Sequence, residues 1–109
     1  MNLLAGSLQE SLSNVCRRFR VERLYLFGSA AEGRFDSERS DLDFLVSLEE
    51  QPPSEYAHNY LGLAEALEQL FCRRVDLVTE RSIRNPYFRE TIVATRQLVY
   101  DHRDEKAFA

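Results

Sequence analysis

Cysteine and histidine are scarce in this chain, with two of each among 109 residues. Cys16 and Cys72 are far apart, each among apolar residues at helical spacing, where a free thiol behaves as a small hydrophobe. Both are expected to be buried and reduced. Two distant cysteines with His58 and His102 do not supply the converging ligands of a zinc site, and neither histidine is given a role. Long apolar runs are also missing. The longest, such as Leu24 to Phe27 and Phe44 to Val46, fall far short of the roughly 20 residues that span a membrane. The N-terminus lacks the basic-then-apolar layout of a secretory signal, so a cytoplasmic protein without membrane contact is expected. Basic charge is the third shortage. A formal net charge of −4 provides no field to gather polynucleotide, which makes nucleic acid a disfavoured partner.

What is present fits one small domain with one core, expected over residues 1–101, with a charged tail over 102–109. Leu8, Leu12, Val15 and Phe19 recur at helical spacing and predict an amphipathic helix over 7–19. Arg23 to Phe27 reads as a buried strand that stops at the Gly28-Ser29 turn. A second strand runs from Asp41 to Val46, and Pro52-Pro53 cannot continue it, because proline lacks the ladder donor. Ser54 is then the expected cap of a helix carrying Tyr60, Leu63, Ala64, Leu67, Leu70 and Phe71 on one stripe and closing near Cys72. Val75 to Val78 makes a short third strand. Asn85 with Pro86 starts a last helix through about Thr95, and Gln97 to Tyr100 adds a small strand. This order predicts a single α+β domain, α/β-like, with a mixed sheet flanked by helices.

Strand periodicity puts Asp41, Asp43 and Leu45 on one face and Leu42, Phe44 and Val46 on the other, so the apolar face is expected to pack and the acidic face to stay open. Two carboxylates about 7 Å apart at their α-carbons repel unless a cation lies between them, and hard oxygen ligands suit Mg²⁺ or Mn²⁺. Asp-x-Asp alone is a common accident whose bland alternative is a turn residue followed by a solvated strand position. Gly28-Ser29 adds context, since glycine lets the backbone approach a ligand and amides at a helix start favour phosphate. Ser29 with Glu32 also reads as a capping box, a role compatible with anion binding. Asp76, flanked by the packing residues Val75 and Leu77, points to the opposite side and reaches Asp43 if the two strands are neighbours; otherwise it is a solvated edge residue.

Leu26-Phe27-Gly28-Ser29, then Ser40-Asp41-Leu42-Asp43-Phe44-Leu45-Val46, then Val75-Asp76-Leu77-Val78 resemble the DNA polymerase β-like nucleotidyltransferase superfamily. Within it the chain looks like the MNT-type minimal nucleotidyltransferases, which often pair with HEPN-domain proteins as toxin–antitoxin systems. The resemblance implies that Asp41, Asp43 and Asp76 are catalytic and hold two Mg²⁺ ions, with Asp76 near the acceptor nucleophile as ligand or base. It further implies that Gly28 and Ser29 hold the triphosphate of ATP, the nucleotide donor. Two departures stand out: the Ser29–Asp41 spacer is one residue longer than the commonest form, and Glu32 stands where relatives usually carry arginine. Arg34 or Arg39 in the same loop is the expected substitute. So small a domain leaves little room to recognise an acceptor. The implied activity is transfer of AMP to a hydroxyl of a HEPN-type toxin, which the chain neutralises as antitoxin. The alternatives are a non-catalytic module that neutralises by binding alone, and a subunit of a small-molecule nucleotidyltransferase. An apolar tail helix and exposed tyrosines such as Tyr56 and Tyr87 are the expected surface of a homo- or hetero-oligomer.

Overall fold

Leu12 and Cys16 are almost wholly buried on the first helix, α1 (Gly6–Arg18), with Leu8 and Val15 partly buried beside them. The computed structural model describes residues 6–28 and 42–103. Arg17 and Arg18 in the last turn of α1 meet the negative end of its dipole. The chain leaves through Arg20, whose φ of 59° turns it into β1 (Val21–Phe27).

β2 (Leu42–Leu48) and β4 (Gln97–Asp101) pair antiparallel with β1 on its two sides, and β3 (Val75–Thr79) pairs parallel with β2. The resulting order, β3-β2-β1-β4, is a mixed sheet with β3 and β4 at its edges. A parallel pair needs a long crossover, and α2 (Pro53–Phe71) provides it. Proline at the first helical position costs no hydrogen bond, so α2 starts at Pro53, with Pro52 as its N-cap and no side chain bonded there. Ser54 therefore lies inside the first turn and is not the cap. At the other end Cys72 adopts the left-handed region, φ 54°, and its amide donates to the Glu68 carbonyl. That turn carries Cys72 off the buried stripe. Cys72 is exposed, contrary to expectation, while Cys16 is buried as expected.

The main core lies between the sheet and α1 with α2, where Leu24, Leu42, Phe44, Val46, Leu63 and Leu67 are at most 1% exposed. Phe44 stacks on Phe71, their centroids 5.8 Å apart. Tyr56 is half-buried against this core, so of the two tyrosines expected at the surface only Tyr87 is exposed. The other face is covered in part by α3 (Pro86–Thr95), whose N-terminal amides at Tyr87 and Phe88 donate to the Asn85 side chain, as the Asn-Pro start predicts. Ile92 of α3 packs with Phe27, Leu45 and Ile83, and Phe88 meets Phe27 edge-on at 6.0 Å. The face carrying Asp43 is thus packed beyond that residue, where an open face was expected. The cause is α3, which lies over Leu45.

Candidate active site

Gly28 ends β1 with φ 76°, a conformation that costs a residue with a Cβ about 1–2 kcal/mol. It is also crowded. A Cβ built there would lie 2.5 Å from Oδ2 of Asp43, so the backbone turn and the carboxylate touch only because this residue is glycine. Phe27, Asp43 and Asp76 lie level with one another across β1, β2 and β3. Residues in register on adjacent strands send their side chains to the same face, so Asp43 and Asp76 share a side of the sheet at α-carbons about 4.8 Å apart. Asp43 is half-buried, and Asp76 is exposed on the edge strand. The adjacency expected of Asp76 is present; Leu77, its neighbour, is buried on the opposite face.

Helix α2 borders this pair. The Tyr60 hydroxyl donates to the Leu77 carbonyl, and the Glu68 carboxylate accepts the Val75 amide at 3.1 Å. Burial, the nearby Asp76 carboxylate and Tyr56 together push the Tyr60 phenol above its ordinary value. It therefore stays protonated, and a donor, across the neutral range. Sequence reasoning gave Tyr60 only to the apolar stripe and overlooked Glu68. The available signal was a phenol in an otherwise hydrocarbon stripe, since a buried hydroxyl usually has a partner.

Ser29, Glu32, Arg34, Arg39 and Asp41 lie outside the described residues. Among the described residues no group of three or more His, Cys, Asp or Glu side chains is arranged to hold a metal ion. Nor is any described helix long and apolar enough to cross a membrane. A cavity of about 340 Å³ opens elsewhere, toward the far ends of β2 and β3, lined by Glu22, Ser47, Glu49, Glu50 and Glu80 among others. Ser47 is four residues along β2 from Asp43, roughly 13 Å. That lining sets four carboxylates against the one guanidinium of Arg81, a net negative charge that disfavours a triphosphate.

Residues 8–99 match the model of the nucleotidyltransferase domain family. A candidate protein adenylyltransferase of Methanocaldococcus jannaschii is 39% identical over 75 residues, 69% of this chain and 73% of that one. The protein adenylyltransferase MntA of Thermococcus cleftensis is 36% identical over 83 residues, 76% of this chain and 77% of the relative. A solved structure described as a candidate minimal nucleotidyltransferase superposes with a TM-score of 0.60 at 36% identity, over 82% of this chain and 86% of that chain. At the level of fold alone, so does a chain from the complex of a tri-AMPylated Shewanella oneidensis HEPN toxin with MNT antitoxin. Its TM-score is 0.53 at 19% identity, over 92% and 78% of the two chains. The glycine turn and paired acids thus stand in a fold and a sequence with known kin: the chain belongs to the nucleotidyltransferase domain family and is a nucleotidyltransferase.

Proposed function

We propose that this nucleotidyltransferase moves AMP from ATP to a hydroxyl of a HEPN-domain partner protein and thereby neutralises that partner as its antitoxin. The observation that carries the reading is the register of Asp43 with Asp76 beside the Gly28 turn. Carboxylate oxygens on neighbouring strands are the ligands Mg²⁺ takes when it completes its shell with water and phosphate, so the residues fit the ion. Asp41, two positions before Asp43, is the third acid in this reading, and Gly28, Ser29, Arg34 and Arg39 are its phosphate-binding residues. Two Mg²⁺ ions held there would neutralise the phosphates and polarise the acceptor oxygen.

The chain's own part is placement. Gly28, lacking a side chain, lets phosphate oxygens come near the backbone, and the Ser29 hydroxyl donates to them. Asp76 takes the side nearest the acceptor, where it orients the hydroxyl or accepts its proton. The acceptor oxygen bonds to the α-phosphorus, the bond to the bridging oxygen breaks, and pyrophosphate leaves with that electron pair. Such chemistry asks mainly for positioning and charge stabilisation, within the means of a small domain. Asp76 is exposed on an edge strand, which leaves room for an acceptor carried by another protein. Support for that acceptor comes from relatives named as protein adenylyltransferases and from the fold neighbour's complex with an AMPylated HEPN toxin.

The test is to incubate the purified chain with Mg²⁺, ATP labelled at the α-phosphate, and the protein encoded by the adjacent gene. Label on that protein is expected, with mass analysis locating AMP on a hydroxyl; its absence overturns the proposal. A second reading, neutralisation by binding alone, is favoured by Glu32, an acid where the family resemblance implies an arginine. Changing Asp41 and Asp43 together to Asn separates the two. Loss of neutralisation with the complex intact supports transfer, and unchanged neutralisation supports binding.

A further inference from the structure

Among the described residues no strand lies beside the outer edge of β3, yet that edge is held. Among the described residues β3 pairs with β2 alone, and the Leu42 amide donates to the Arg74 carbonyl at 3.1 Å, so residues 74, 76 and 78 turn their backbone groups inward. Those of 75, 77 and 79 turn outward, because backbone groups alternate along an extended strand. Two contacts from α2 meet this outward edge: the Glu68 carboxylate accepts the Val75 amide, and the Tyr60 hydroxyl donates to the Leu77 carbonyl; at the strand's end the Ser82 hydroxyl donates to the Thr79 carbonyl at 2.8 Å. The two contacts from α2 bracket Asp76, one residue before it and one after.

We infer that Tyr60 and Glu68 form a two-point clamp on the free edge of β3 that holds Asp76 level with Asp43, and that both are positioning residues for nucleotidyl transfer. The inference rests on the proposed role of Asp76. A strand of five residues with one sheet neighbour is prone to fray, and a slip of one residue sends every side chain to the opposite face. Such a slip would exchange exposed Asp76 for an apolar neighbour, Val75 or Leu77, on the face that carries Asp43. The clamp is anchored firmly, because Leu63 and Leu67, between its two members on α2, are fully buried. Tyr60, protonated across the neutral range, donates throughout it.

The full chain is assayed for AMP transfer with Mg²⁺, labelled ATP and the protein of the adjacent gene, alongside amide hydrogen exchange. Tyr60→Phe and Glu68→Ala are tested singly and together, with Glu68→Gln as the conservative variant that keeps a carbonyl acceptor. Losing each hydrogen bond should speed exchange of the β3 amides severalfold, and losing both by about tenfold or more, with α1 and β1 unchanged. In parallel kcat should fall by about tenfold while the KM for ATP stays within about twofold, and Glu68→Gln should keep most of the activity. If the double variant does not unfold cooperatively, the single variants decide. Unchanged β3 exchange overturns the clamp, and faster exchange with unchanged kcat overturns its positioning role. Asp76→Asn is run beside them: if it transfers at the wild-type rate, or if wild type transfers nothing, the role of Asp76 falls and the positioning claim with it. Exchange then still decides whether the edge is clamped.

Discussion

Along β2, alternate side chains enter two different environments. Phe44, between α1, α2 and the sheet, is 1% exposed in a core that counts fifteen buried members among the described residues; Asp43, on the other face, is half-buried at the rim of a cluster of four such residues. The first face is dry and dense, and its side chains hold the fold together. The second is roofed in part by α3, and beyond the reach of that helix the carboxylates stand beside Gly28. On the proposed reading, stability and chemistry are divided by the sheet, and adjacent positions on one strand should fail in different ways.

The largest effect belongs to the dense face. Phe44→Ala should cost about 3–5 kcal/mol in denaturant unfolding, by lost burial and the cavity left behind, while the activity per folded molecule changes little. Its neighbour should do the reverse. Asp43→Asn is expected to lower AMP transfer by about 10²–10³-fold with the unfolding midpoint nearly unchanged, and equal losses in both assays would erase the distinction between the faces. Gly28→Ala tests the boundary between them. Its left-handed backbone should cost about 1–2 kcal/mol, and its Cβ must displace the Asp43 carboxylate, so both assays should fall together. The smallest effect lies at the far end of β4. The Arg103 amide and guanidinium hold the Asp101 carboxyl below its usual range. The stability this supplies is present above the ordinary carboxylate range and is lost as pH falls through the depressed value. Asp101→Asn should flatten the acid side of the stability profile and leave transfer untouched.

The elements were legible because their signals are local. Asn85-Pro86 announces α3, helical spacing announces α1 and α2, and the Asp43–Phe44–Leu45 alternation assigns the faces of β2. Ser54 misled because proline at the first turn already satisfies the helix start, and Cys72 because a helical stripe does not reveal where a left-handed residue will end it. The packing of Leu45 against Ile92 escaped for another reason: which face α3 covers is a matter of tertiary arrangement. In the candidate site, Gly28, Asp43 and Asp76 stand together as their spacing implied, provided β2 and β3 adjoin, and they do. The contacts of Tyr60 and Glu68 with β3 left almost no trace in the sequence, because each joins residues whose nearness depends on how the crossover helix settles. Ser29, Arg34, Arg39 and Asp41 lie outside the described residues.

Asp43, Asp76 and the two helix residues that border them all come from one uninterrupted strand–helix–strand stretch, β2 to β3. Among the described residues after Thr79, α3 gives cover and β4 adds a strand whose Val99 and Tyr100 join the main core, and the same stretch carries Tyr87, Phe88, Val93 and Leu98, four of the five large apolar side chains left exposed among the described residues. The two described acids therefore come from one unbroken stretch, while the exposed apolar positions of α3 and β4 lie outside it. On the proposed reading, the exposed positions that would meet an acceptor protein can vary without altering the acids that would act on it.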